Sequence, residues 1–236
     1  LVIDIQSLGS SSAGNAYRIS DGHTALLLEA GFPYKSLQRA LNFRMSDIAG
    51  CLITHEHLDH SKAAKDVMKA GIDVYTSQGT AESLDLSGHR LKPIRAHEQF
   101  TVGTWTIKAF EIEHDVAEPL GFVLANTAGD KLVFLTDTYY CRYRFAGLTH
   151  IMVECNYSID IVNRRVAAGE LHPGQKKRLL RSHFGLEHVK GFLRANDISK
   201  VQEIWLLHLS DGNSDADRFK QEIQETTGKL VRVADR

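Results

Sequence analysis

Cys51-Leu52-Ile53-Thr54-His55-Glu56-His57-Leu58-Asp59-His60 joins two kinds of sequence end to end. Residues 51–54 are a short, continuous apolar run of the kind that forms a buried strand. It feeds directly into the pattern H-x-H-x-D-H, so the polar cluster is expected at the carboxyl end of that strand. In extended backbone, residues two apart face the same way, which lets His55 and His57 grip one cation. Asp59 and His60, where a helix is expected to begin, turn towards a second position. Imidazoles mixed with a carboxylate suit zinc, manganese or iron better than calcium or magnesium. Four ligands leave a two-metal site unfinished.

The completing ligands should be His or Asp at other strand ends, and three residues stand at such places: His114, Asp137 and His208. His114 follows the apolar run 107–112, Asp137 follows 132–136, and His208 follows 204–207. Asp137 lies apart from the loop that supplies Asp59, which makes it the natural carboxylate between two cations. A water shared by the two would become hydroxide near neutral pH. His23, His89, His97, His150, His172 and His188 carry no such argument and read as structural.

Upstream of the loop, residues 1–5, 16–20 and 24–29 read as strands separated by Gly and Ser, and 33–41 as a helix. Downstream, 61–70 has a helical apolar face in Ala64, Val67 and Met68, with Gly71 as its stop, and Val74-Tyr75 opens another strand. Between residues 100 and 135, alternating runs broken by Gly read as consecutive hairpins. Helices are expected near 159–168, 186–194 and 216–226, with strands at 150–153, 204–207 and 230–233. Such an order fits an α/β class with two facing sheets and helices outside, and no linker divides the chain, so residues 1–236 are expected to form a single domain.

Composition sets limits on function. Across 236 residues, Lys+Arg at 28 against Asp+Glu at 29 leave a net charge of -1, which excludes the basic character of a nucleic-acid coat protein. No apolar run reaches the ~18 residues of a membrane span, and the opening LVIDIQSLGSSSAGN lacks a basic secretory start. Cys51, Cys141 and Cys155 form no C-x-x-C pair, so a reducing, cytoplasmic setting is expected. One segment departs from neutrality: from Arg164 to Arg181 there are six Lys or Arg against Glu170 alone. Lys176, Lys177 and Arg178 within it read as phosphate contacts for a polyanion, or as a solvated helix face. Amides of the Ser10 to Asn15 stretch, at Ser11, Ser12 and Asn15, read equally as a flexible turn or as a phosphate cradle. Tyr139, Tyr140 and Tyr143 offer rings for base stacking or for packing.

The ligand series H-x-H-x-D-H, His114, Asp137, His208 resembles that of the metallo-β-lactamase fold superfamily, and the likeness spans nearly the whole chain. Among its branches the chain looks most like the bacterial WalJ (YycJ) group. Leu8-Gly9-Ser10-Ser11-Ser12-Ala13-Gly14-Asn15-Ala16 resembles that group's opening, and Leu207-His208-Leu209-Ser210-Asp211-Gly212-Asn213 its closing segment. The resemblance implies an αββα four-layer sandwich with two mixed β-sheets and a site for two divalent transition-metal ions, Zn or Mn, with Fe also suited. It implies a phosphodiesterase, first of all a DNA exonuclease using a metal-bridging hydroxide, with Asp59 and His183 in catalytic roles. Cyclic-nucleotide or RNA phosphodiesters are the alternative substrates, and a non-catalytic metal-binding relative is the alternative class. The expected partner is a nucleic acid or nucleotide phosphodiester, not a membrane. Two positions depart from the superfamily pattern. Glu29 stands where an early strand usually ends in Asp, so the bond that orients a ligand His is expected to be rearranged. His183 sits in Arg181-Ser182-His183-Phe184-Gly185 rather than in Gly-His-x-Ser-Asn, and is expected near the site but not on the metal.

Overall fold

The computed structural model describes residues 3–235; of the strand expected over residues 1–5, Leu1 and Val2 lie outside the described residues. Internal contacts divide the chain into two compact units. The first holds the described residues through Glu111, then Val116–Asp130 and Asp235; the second holds Ile112–Asp115 and Lys131–Ala234.

The first unit is built on a six-stranded sheet in sequential order: β1 (Asp4–Ser11), β2 (Gly14–Ser20), β3 (Ala25–Leu28), β4 (Ile48–Leu52), β5 (Val74–Ser77) and β6 (Leu91–Ile94). The first three strands pair antiparallel and the rest parallel, so the sheet is mixed. Helices α1 (Tyr34–Ala40), α2 (Leu58–Ser61), α3 (Ala64–Lys69) and α4 (Gln78–Ser83) connect the parallel strands. Leu27, Leu37, Ile53, Val67 and Val74 close one apolar core between sheet and helices, each contributing about 1.5–3 kcal/mol by burial. An antiparallel trio, β7 (Gln99–Val102), β8 (Trp105–Glu111) and β9 (Leu120–Asn126), forms the expected hairpins. The buried Trp105 indole donates to Thr24 O at 3.0 Å and ties the trio to the start of β3.

The helix expected over 61–70 is broken in two. At the break the Ala63 amide turns away from the helix and donates to Ala30 O at 2.8 Å, and the Asp59 carbonyl four residues back accepts Asn15 Nδ2 at 3.2 Å instead. Strand β6, which had no part in the sequence expectations, contains Pro93; as the edge of the sheet it needs no donor on its outer side.

The second unit carries four parallel strands in the order β10 (Lys131–Leu135), β11 (His150–Glu154), β12 (Glu203–Leu207) and β13 (Leu230–Val233). Every residue of β11 is buried, as a central parallel strand covered on both faces should be. Four helices accompany them: α5 (Ile159–Ala167), α6 (Pro173–Ser182), α7 (Leu186–Ala195) and α8 (Ala216–Thr227). Helix α6 was expected only as one reading of the basic segment, a solvated helix face, with no bounds given. Its start is nevertheless encoded: His172 accepts from the Gly174 amide, Gln175 reaches back to the His172 amide, and Pro173 supplies a preset φ. Among the described residues no helix is long and apolar enough to cross a membrane.

Candidate metal centre

In the first unit the apolar run carries its burial on past β4, through Ile53, Thr54 and His55. Buried Thr54 then acts as a relay. Its hydroxyl donates to Glu29 Oε1 at 2.5 Å and lies 2.9 Å from His55 Nδ1. A hydroxyl has one proton, so with that proton on Glu29 the oxygen accepts from His55 Nδ1–H. This fixes the tautomer and leaves the His55 Nε2 lone pair facing His57 Nδ1 at 3.1 Å. Glu29 Oε1 also stands 3.5 Å from His60 Nδ1, and His60 Nε2 lies 3.4 Å from Asp59 Oδ2. Burial pushes the Glu29 carboxyl up, against the pull of His60 and Thr54.

Glu29 therefore orients one of the sequence-predicted ligands, His55, through Thr54, and stands beside a second, His60. The backbone around it is bent to suit: Glu29 has φ +64°, the left-handed region that a residue with a Cβ enters only at a cost of about 1–2 kcal/mol. The next two residues fasten the histidine loop, with the Ala30 amide donating to His60 O at 2.7 Å and the Gly31 amide to Asn15 O at 2.9 Å. Asn15 itself is fully buried, and its side-chain amide donates to Ser11 O at 3.0 Å as well as to the Asp59 carbonyl. Its side chain holds the loop's backbone in place. Ser12 and Ala13, at the turn between β1 and β2, are the exposed residues of that stretch, and Ser11, the last residue of β1, is half-buried.

In the second unit three neighbouring parallel strands end in acid, acid and imidazole. Asp137 lies two residues beyond β10, Glu154 is the last residue of β11, and His208 is the first beyond β12. Strand ends of an open parallel sheet are where such folds gather ligand groups. Asp137 and His208 have φ +44° and +51°, so both are held in strained backbone, the pattern expected where geometry serves a site. His208 Nδ1 donates to Asp137 Oδ1 at 2.7 Å, and that oxygen also accepts Thr136 Oγ1 at 2.9 Å. Glu154 is divided between two tasks. Its Oε2 accepts the amides of Phe184 at 2.9 Å and Thr138 at 3.3 Å, while Oε1 lies 2.6 Å from His183 Nδ1 and 3.4 Å from His208 Nδ1.

Ligand atoms of Asp137, Glu154, His183 and His208 all lie within 4.8 Å of one another. Two carboxylates and two imidazoles in a largely buried space are a donor set for a borderline transition metal. Burial favours the neutral imidazoles, yet Asp137 and Glu154 push His208 up to about 10, and Glu154 with Asp137 raises His183 too. Glu154 is itself lowered, burial being outweighed by the imidazoles. The residues fit a metal ion.

His114 has a buried side chain, with Nδ1 3.4 Å from Asp115 Oδ1 and its ring centroid 6.2 Å from that of His183. Asp115 in turn accepts Ser182 Oγ at 3.1 Å, which ties the end of α6 to His114. Glu154 had no part in the sequence expectations; His183, expected near the site, lies with its Nδ1 2.6 Å from Glu154 Oε1. Of the basic segment, Arg164 pairs with Asp160, and Arg165 with Glu170 and Asn213 Oδ1, so those two charges are engaged within the unit. Lys177, Arg178 and Arg181 face solvent from α6, with Lys176 bound to Asn163 Oδ1 at 2.6 Å.

Residues 24–183 match the model of the β-lactamase superfamily domain, and the chain belongs to that family. The fold is that of the YhfI metallo-β-lactamase fold protein from Bacillus subtilis, which superposes with a TM-score of 0.74 at 15% identity, covering 99% of this chain and 96% of that one. Within the family the chain is WalJ-like. It is 28% identical over 224 residues to exodeoxyribonuclease WalJ of Streptococcus pneumoniae, covering 88% of this chain and 81% of that protein. It is 26% identical over 225 residues to exodeoxyribonuclease YycJ of Bacillus anthracis, covering 88% and 82%.

Proposed function

We propose that the chain is a dinuclear metal-dependent phosphodiesterase that degrades DNA from an end. The observation that carries this reading is the gathering of His and Asp side chains with metal-ligand chemistry at strand ends, Asp137 and His208 among them, in a chain similar along most of its length to two exodeoxyribonucleases. In this reading His55, His57 and His114 would hold one cation and Asp59, His60 and His208 the other, with Asp137 as the carboxylate expected between them. Bound there, the two divalent ions, zinc or manganese, would lower the pKa of a water and draw charge from the phosphoryl oxygens. The chain's own residues then have defined tasks. Thr54 and Glu29 fix the ring of His55. Asn15 and Gly31 hold the backbone that presents Asp59. Ser11 and Ser12 offer amides and hydroxyls to a phosphate at the first turn. Three free thiols, two of them buried, accord with work in the reducing cytoplasm.

His183 is assigned the leaving-group proton. Its Nδ1 is held by Glu154, which orients the ring and leaves Nε2 for the departing alkoxide. His183→Ala should lower turnover on DNA by roughly 10²–10⁴, and by much less on bis-p-nitrophenyl phosphate, whose leaving group needs no proton. Equal losses on both diesters, or loss of metal in the variant, would make His183 a ligand and not an acid.

The exposed cations of α6 are assigned to remote phosphates. Neutralising Lys176, Lys177 and Arg178 together should weaken binding to a long DNA and flatten its log–log salt dependence by up to about 3, while hydrolysis of the small chromogenic diester persists. Equal loss on both substrates would assign the segment to folding. The substrate class is tested by rates on linear DNA, RNA and cyclic nucleotides measured side by side, and a preference for either of the latter two would overturn the choice of DNA.

A further inference from the structure

A pocket of about 340 Å³ opens in the second unit between the segment Tyr140 to Arg144 and one face of α7. Its two sides are rooted in the same carboxylate. Thr138, whose hydroxyl donates to Tyr140 O at 2.8 Å, and Phe184 at the pocket floor both donate their amides to Glu154 Oε2. The other oxygen of Glu154 faces His183. The pocket is thus attached to the candidate metal cluster through one side chain.

The lining combines aromatic rings with charges of both signs, the exposed carboxylate of Glu187 on α7 among them. Tyr140 is 55% exposed, Tyr143 is half-buried, and the rings of Phe184 and His188 lie stacked with centroids 6.0 Å apart. Arg144 is exposed at the rim, whereas Arg142 is paired with Glu113. Asn196 is occupied, accepting the Phe145 amide at 2.6 Å and donating to Phe192 O at 2.7 Å. Opposite the tyrosines stands Gly191, in the middle of a helix, where glycine is disfavoured relative to alanine. A Cβ added there would meet nothing within 4 Å, so no packing in the protein requires the glycine. What it provides is room.

The geometry points to a nucleotide subsite: the pocket takes the base next to the scissile phosphate between its aromatic walls, and Arg144 takes the adjoining phosphate. Aromatic faces accept any base because every base has a π-face, and a cation at the rim supplies the complementary charge. The volume lies at the lower end of small-ligand pockets, about 300 Å³ and upward, which fits one nucleotide and not a duplex. The ligand's identity rests on the phosphodiesterase reading above; the existence of the subsite is tested without it.

The test is direct binding of deoxyadenosine 5′-monophosphate to the whole chain by calorimetry, with inorganic phosphate and ribose 5-phosphate as references. Wild type should bind the nucleotide at least tenfold more tightly than either. Gly191→Leu fills the space, exchanges a poor helix former for a good one, and should melt no lower than wild type while losing about tenfold or more in nucleotide affinity. Tyr140→Ala should lose affinity in the same direction. In the same variants KM for single-stranded DNA should rise while kcat/KM for bis-p-nitrophenyl phosphate stays unchanged. A folded Gly191→Leu that binds the nucleotide like wild type, or a wild type that binds nucleotide no better than inorganic phosphate, would overturn the subsite. A protein that cleaves no diester yet loses nucleotide binding in Gly191→Leu would uphold the subsite and overturn the phosphodiesterase reading instead.

Discussion

Gly31→Ala is expected to cost about 3 kcal/mol and to lower the melting temperature by about 6–12 °C, because the added methyl has nowhere to go. A Cβ at this position would lie 1.7 Å from Asp59 O and 2.3 Å from Asp59 C, both of them backbone atoms that no rotamer change can move. The Asp59 carbonyl is also the acceptor for Asn15 Nδ2, so displacing it breaks that bond and shifts the turn that presents Asp59 and His60. Metal affinity should fall together with stability. Gly71→Ala is the matching control: φ there is +89° but nothing lies within 4 Å, so only backbone strain of about 1–2 kcal/mol is expected, with metal content unchanged. Thermal melts and metal content of the two variants separate the cases. If Gly31→Ala melted and bound metal like wild type, the packing of Glu29-Ala30-Gly31 against the histidine loop would not be what positions the ligands.

Asp59→Ala and His208→Ala are each expected to lower kcat/KM for bis-p-nitrophenyl phosphate by about 10³-fold or more, because each removes a proposed ligand of the same cation. Their structural consequences should differ. Asp59 is partly exposed at the start of α2, and its removal leaves the backbone bonds of the loop intact. His208 is buried against Asp137 and Glu154, and its loss leaves two carboxylates facing each other without their shared imidazolium. The His208 variant should therefore be less stable in the absence of metal, and the Asp59 variant close to wild type. Kinetics and melts in parallel report both differences. Unchanged diesterase activity in either variant would remove that residue from the ligand set.

The histidine loop was legible because every part of its signal is local: an apolar strand, a two-residue alternation of imidazoles, then a helix start, all within ten consecutive residues. His114, Asp137 and His208 were legible as residues standing just past apolar runs. Glu154 also ends an apolar run, and what distinguishes it from any other strand-terminal acid is its neighbours. Those are set by the parallel order β10-β11-β12, where Val153 stands beside Leu135 and Leu206. Pairing of strands some 20 and 50 residues apart leaves no mark in the local pattern. The bond from His183 to Glu154 is hidden for the same reason. Asn15 shows the converse limit: turn-forming residues pointed to an exposed loop, but its amide is buried, serving the carbonyl of a residue 44 positions away. Helix α6 was obscured because its lysines and arginines dominate the reading of its face, although its capping residues announce where it starts.

The central claim is that this chain holds two catalytic transition metals on His and Asp ligands. Elemental analysis of protein purified without chelator, paired with diesterase assays before and after chelation and metal return, tests it most directly. The account predicts about two equivalents of zinc, manganese or iron per chain, falling in Asp59→Ala and His208→Ala, with activity lost on chelation and restored by metal. Full phosphodiesterase activity in protein that contains no metal, or two equivalents retained in both variants, would contradict it.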